Sequence, residues 1–190
     1  MGKIKAALTA LMVQDALAIQ LLIVAPMRIS NLVRLDLDRH LIRSGPGTTH
    51  VVLPGHEMKN RQAMEYPLPA AVVALLDCFL REHRPSLTPA GSTTLFPARD
   101  GGPQSRHALA ARVKRAVFVH TGLLLNVHLF RHASARFYLG VHPGRIEVMR
   151  RVLGHRSIST TSQFYAGFET ARSVRHFDEV ILRLRHKAGP

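Results

Sequence analysis

Cysteine is nearly missing from this chain: Cys78 is the single one among 190 residues. It has no partner for an internal disulfide, so a reducing, cytoplasmic setting is expected. Its neighbours Leu75, Leu76, Phe79 and Leu80 read as a buried face, and a packed thiol fits better than a nucleophile. Acid is scarce too: 12 Asp and Glu stand against 26 Lys and Arg, a net charge of +14 with His neutral. A domain that basic usually takes a polyanion as partner, nucleic acid first, with a generally basic proteome as the plain alternative. Metal signatures are lacking. The 12 His are scattered, with no HExxH pattern and no Cys partners, so neither a metal nor a cofactor is expected. No cleavable signal is evident. The apolar run "ALAIQLLIVA" at 16–25 is too short to span a bilayer and is broken by Gln20, so it reads as a core helix and no membrane partner is expected. Internal repeats and low-complexity tracts are also lacking.

What the chain has is enough for one domain with a real core, since 46% of its residues are hydrophobic. Ala, Leu and Ile crowd residues 5–24, which read as a buried helix ended by Pro26. A second helix is expected from Ser30, carrying "SNLVRLDL". Between 40 and 68, Gly45, Pro46, Gly47, Pro54 and Gly55 punctuate short runs such as "TTHVVLP" and "AMEYPLP". That pattern predicts a small antiparallel sheet of two or three strands. Helical spacing returns at 70–83, and 84–105 reads as loop. Helices follow near 105–120, 127–139, 143–152, 159–167 and 170–186. The expected class is mainly α with a small antiparallel β-sheet (α+β).

Four stretches carry chemistry. In "NVHLFRHASARFYLG", Asn126 is a good N-cap, and His128 and Arg131, three apart, share a helical face. A half-buried Arg needs an anion, and an ion pair with Asp36, Asp38 or Glu147 is the plain alternative to a phosphate. In "RRVLGHRSISTTSQFYAGFE", Gly154 suits a helix C-terminus, His155 sits in the turn, and Ser159 or Thr160 can cap the next helix, which bears Tyr165. In "APMRISNLVRL", Arg28 follows Pro26 at a helix junction. In "GHEMKNRQAMEYPLP", Lys59 lies in a turn between two strands, where a solvated Lys is the ordinary reading.

Taken together, these stretches resemble the catalytic domain of the tyrosine recombinases, also called phage integrases. The order matches over residues 8–168: an Arg after an apolar helix, a hairpin Lys, H-x-x-R-H, then L-G-H and a Tyr. The resemblance implies that Arg28 and Arg131 clamp a scissile phosphate and that Lys59 protonates the leaving 5′ oxygen. It implies His128 as base or hydrogen-bond partner of the phosphate, His155 as the second histidine and Tyr165 as nucleophile. His132 is expected to point elsewhere on its helix. The chain departs from the family pattern in "APMR", where T-G-x-R is common, and in Asn31, where a Glu often follows the first arginine by three positions. The implied organisation is a catalytic domain over 1–170 and a C-terminal helix or tail over 171–190, with the N-terminal core-binding domain absent.

The residue types suit the reaction that the resemblance implies. A phosphodiester repels a nucleophile, and two guanidiniums can hold its oxygens and neutralise charge building in the transition state, roughly 3 to 4 kcal/mol per donor. A phenol with a pKa of about 10 is a poor nucleophile without a neighbouring imidazole and cations. Attack would give a 3′-phosphotyrosyl intermediate, and a 5′ hydroxyl reverses it. Double-stranded DNA is then the partner. Arg34, Arg61, Arg106, Arg112, Lys114 and Arg115 are candidates for backbone contacts. The tail spacing of Val174, Phe177, Ile181 and Leu184 suits packing on its own domain or docking on a second protomer. The alternatives are an inactive or truncated DNA-binding module of the same fold, and a protein–protein element built on the tail.

Overall fold

The computed structural model describes residues 2–45, 47–159, 161, 162 and 178. Helix α1 (Gly2–Val24) is the long Ala- and Leu-rich segment. Its inner face repeats at three- and four-residue steps, and Ala10, Gln14, Leu17, Ala18, Leu21, Leu22 and Ala25 are all fully buried. Pro26 follows, and its ring cannot continue the helix. The apolar stretch is longer than the run at 16–25: Ile4–Val24 is long and apolar enough, by length and composition, to cross a bilayer. Within the fold its buried face packs against α4 (Ala70–Cys78), α5 (Arg106–Thr121) and α6 (Val127–Val141).

The expected second helix breaks into two single turns, α2 (Ile29–Leu32) and α3 (Leu37–His40). Asp36 is the reason. It sits in extended backbone, and its carboxylate accepts from the Asp38 and Arg39 amides at 3.0 and 3.1 Å and from Thr93 Oγ1 at 2.6 Å. These bonds hold its carboxyl below the usual range against the opposing effect of burial, which is the largest single influence. A cap at Asp36 outweighs the helical spacing of "NLVRLDL".

The sheet has three antiparallel strands in the order β1 (Leu41–Gly45), β2 (Thr48–Leu53) and β3 (Met64–Pro67). Val51 pairs with Tyr66 and Leu53 with Met64, and all four side chains face the core. The β2–β3 connection includes a short turn at Gly55–Glu57 and carries Lys59. Helix α4 runs on through a wider turn at Phe79–His83, and Phe79 is fully buried. The 84–105 loop is fixed rather than free-standing: Arg84 donates to the Thr94 and Ser92 carbonyls, each at 2.7 Å, and Leu95 and Phe96 are fully buried. Helix α7 (Ile146–Leu153) closes a second, smaller core on α6 through Ala135, Leu139, Met149 and Leu153. The mainly α, small-sheet class expected from the sequence is what the chain forms. The expected helices over 159–167 and 170–186 fall largely outside the described residues.

Candidate active site

Helix α6 begins where expected. Asn126 is extended, and its Oδ1 accepts from the His128 and Leu129 amides at 3.0 and 3.1 Å. His128 is therefore on the exposed first turn. One turn further, Arg131 is half-buried and joins three segments. One amino nitrogen donates to the Pro26 carbonyl, and the other donates to the Leu153 carbonyl at 2.7 Å. Carbonyl oxygens orient the guanidinium without cancelling its charge. The buried Pro26, two residues before Arg28, thus offers its backbone carbonyl to Arg131. Two of the acids offered as plain ion-pair partners make other bonds. Asp36 caps α3, and Glu147 is held by Arg150 at 2.7 Å and Arg151 at 3.0 Å.

The end of α7 follows from its glycine. Gly154 has φ 61°, and the amides of Gly154 and His155 return to the Arg151 and Arg150 carbonyls, each at 2.9 Å. That is the left-handed termination a glycine permits. It turns His155 back toward α6, with Nε2 3.5 Å from an Arg131 amino nitrogen and Nδ1 2.9 Å from Thr161 Oγ1. Burial, then the charges of Arg131, Arg28 and His132, push the imidazole pKa down to about 4. Arg28 and Arg131 also act together on Tyr66, yet burial dominates and raises that phenol to about 12. Tyr66 stays neutral and donates to the Val152 carbonyl at 3.0 Å. So Arg28, Arg131 and His155, drawn from three places in the sequence, lie within electrostatic reach of one another.

His132 is closer to this cluster than its helical position suggests. Its charge acts on His155, and its own pKa is lowered by burial, then by Arg131 and His128. Lys59 is exposed on the β2–β3 connection. The neighbouring Asn60 donates from Nδ2 to the Gly154 carbonyl at 2.5 Å, and Arg156 donates to the Asn60 carbonyl at 3.3 Å. Asn31, which replaces a common Glu, donates to Met58 Sδ at 3.1 Å, beside Lys59. Asn60, Tyr66 and Thr161 were not singled out by the sequence. Asn60 had one available signal, its place next to Lys59.

Two expectations change. Arg112 is an internal residue: it donates to Asp15 at 2.6 Å, to Gln14 Oε1 at 2.8 Å and to the Leu11 carbonyl at 3.2 Å. Arg34, Arg61, Arg106, Lys114 and Arg115 are exposed. The cap after the L-G-H turn falls earlier than Ser159 or Thr160, because Ser157 Oγ accepts from the Ser159 amide at 3.1 Å. Among the described residues Cys78, Glu82 and His83 bring one ligand atom each within 4.8 Å of the others, although Glu82 already pairs with Arg81 at 2.9 Å. Tyr165 lies outside the described residues, as do the tail positions Val174, Phe177, Ile181 and Leu184.

The chain belongs to the phage integrase family, whose model matches residues 2–171. It is 31% identical over 161 residues to tyrosine recombinase XerD of Pseudomonas aeruginosa, covering 84% of this chain and 51% of the relative. Against tyrosine recombinase XerC of Azotobacter vinelandii it is 27% identical over 174 residues, covering 92% and 54%. Its fold is shared with the XerH site-specific recombinase in a post-cleavage complex with palindromic difH. The TM-score is 0.68 at 22% identity, covering 93% of this chain and 46% of that one. The chain spans about half the length of the curated relatives it matches.

Proposed function

We propose that this chain is the catalytic domain of a site-specific DNA recombinase that cleaves and rejoins strands through a 3′-phosphotyrosyl intermediate. Arg28 and Arg131 hold the nonbridging oxygens of the scissile phosphate, with His128 as a further hydrogen-bond partner. Tyr165 attacks phosphorus as its phenolic proton passes to His128, the bond to the 5′ oxygen breaks, and Lys59 protonates that oxygen as it leaves. His155 is the second histidine of the cluster. Return attack by a 5′ hydroxyl reverses the step and exchanges strands when the hydroxyl belongs to another duplex. The observation that carries this reading is the Arg131 fork, which joins the Pro26 carbonyl, two residues before Arg28, to the Leu153 carbonyl and lies 3.5 Å from His155 Nε2. The match with the integrase family over 2–171 supports it. Exposed Arg34, Arg61, Arg106, Lys114 and Arg115 supply backbone contacts to double-stranded DNA. The tail over 171–190 docks on a neighbouring protomer, so the chain assembles on DNA as a homo-oligomer. A cytoplasmic setting, nucleoid-associated in a bacterial host, goes with that role.

The test is covalent capture. The chain is mixed with a pool of nicked duplexes of randomised core sequence, and detergent-resistant adducts are isolated and sequenced. The expected result is enrichment of one sequence and loss of every adduct in Tyr165→Phe. Salt-dependent duplex binding with no adduct would replace the enzyme reading with that of a DNA-binding module.

A further inference from the structure

The strand connection that carries Lys59 is fastened to the turn that carries His155. Asn60, the next residue after Lys59, donates from its side-chain amide to the Gly154 carbonyl at 2.5 Å. From the other side, Arg156 donates to the Asn60 carbonyl at 3.3 Å. Tyr66, on the strand leaving the connection, donates to the Val152 carbonyl at 3.0 Å. Gly154 leaves room for this approach: a Cβ there would lie 3.1 Å from Met64 Sδ and 3.4 Å from Asn60 Nδ2. On the far side of Lys59, Met58 is buried, and its sulfur accepts from Asn31, three residues beyond Arg28. Lys59 is exposed between these two anchors.

We propose that Asn60 is a positioning residue for Lys59, coupling the place of the ammonium to the turn that holds His155. A long, flexible side chain on an exposed connection has no fixed position of its own. The hydrogen bond from the neighbouring Asn60 side chain to the Gly154 carbonyl fixes where the Lys59 Cα stands relative to Arg131 and His155. Proton delivery to a leaving oxygen requires hydrogen-bond reach at the moment the bond breaks. A loop shifted by about 1 Å loses on the order of 100-fold in rate. The Asn60 amide is suited to the task because it is a neutral donor that leaves the charges of Lys59 and Arg156 undisturbed. This inference rests on the recombinase reading above.

The experiment uses the 190-residue chain and the duplex enriched by covalent capture, made with either the natural 5′ oxygen or a 5′-bridging sulfur at the scissile position. A thiolate, from a thiol of pKa about 8.5, leaves without a proton, whereas an alkoxide does not. Asn60→Ala is expected to slow adduct formation on the oxygen duplex about 10- to 100-fold and to return within about threefold of wild type on the sulfur duplex. Lys59→Ala gives the same pattern, more strongly. Asn60→Asp, isosteric but without the donor, follows Asn60→Ala. Equal slowing on both duplexes assigns Asn60 a purely structural role and overturns the inference. So does an unchanged rate on the oxygen duplex. If Lys59→Ala itself is not restored by sulfur, or wild type forms no adduct, the underlying reading fails and this inference with it.

Discussion

His155 Nε2 lies 3.5 Å from an Arg131 amino nitrogen, while its Nδ1 lies 2.9 Å from Thr161 Oγ1. A guanidinium has donors only, so Nε2 must be the accepting nitrogen. The proton then sits on Nδ1 and is donated to Thr161. Burial and the surrounding cations keep the ring neutral down to about pH 4. Imidazole nitrogen NMR is expected to show the neutral Nδ1–H form at pH 7, with a midpoint near 4. The unfolded chain takes up this proton near 6.5, so between about 6.5 and 4 it binds more protons than the folded one. The stabilisation from His155 is therefore full above about pH 6.5 and is lost as the pH falls toward 4. Denaturant unfolding at pH 7.5 and 5.0 should show a smaller drop for His155→Gln than for wild type.

Gly154 combines a left-handed backbone, φ 61°, with a close approach to Met64. A side chain in that conformation costs roughly 1–2 kcal/mol before any crowding. Gly154→Ala also forces a Cβ to 3.1 Å from the Met64 sulfur, which must shift. Calorimetry should show a fall in Tm of several degrees, at about 2–4 °C per kcal/mol for a domain of this size. Met64→Ala is itself a core truncation costing about 2–5 kcal/mol, so the crowding should show as coupling in a double-mutant cycle, with Gly154→Ala costing less in the Met64→Ala background than in wild type.

Elements were legible wherever the pattern was local and unopposed. The long apolar face of α1, the Gly and Pro punctuation around the sheet, the Asn126 cap and the Gly154 stop each write their own structure. The break between α2 and α3 was not legible, because the Asp36 cap is completed by Thr93, 57 residues away. Arg112 misled for the same reason. A helix-surface Arg looks the same in sequence whether it meets solvent or Asp15, 97 residues earlier. Of the candidate site, residue types and order could be read, since they follow a family pattern. The fasteners could not. Pro26 and Leu153 act through backbone carbonyls, which carry no side-chain signature, and Asn60 reaches across 94 positions.

Arg112 and Arg115 lie three apart on α5 but differ in role. Arg112 is half-buried against Asp15, whose carboxyl is raised by burial despite the hydrogen bond and charge of Arg112. Arg115 is exposed. Arg112→Ala leaves Asp15 and Gln14 without their partner and should destabilise the fold by about 1–3 kcal/mol. Its duplex binding should keep the wild-type salt slope. Arg115→Ala should leave unfolding within about 0.5 kcal/mol of wild type and reduce the salt slope by about 1. Unfolding curves and salt titrations of duplex affinity on the two variants make the comparison.

Arg131→Lys separates the charge of this position from its geometry. A lysine keeps the positive charge but replaces a planar fork with one mobile ammonium. It cannot serve the Pro26 and Leu153 carbonyls and still present a flat donor edge to a phosphate. Hydrogen bonds from charged groups are worth about 1.5–3 kcal/mol each, and one ammonium can keep at most part of the pair. Unfolding free energy is expected to fall by about 2 kcal/mol. The salt slope of duplex binding should stay near the wild-type value, because the net charge is unchanged. Covalent capture should fall by roughly 100-fold or more, since a displaced donor no longer meets the charge that builds at phosphorus. A variant that bound and captured DNA as wild type does would show that the charge of Arg131, and not its fork, is what the reaction uses.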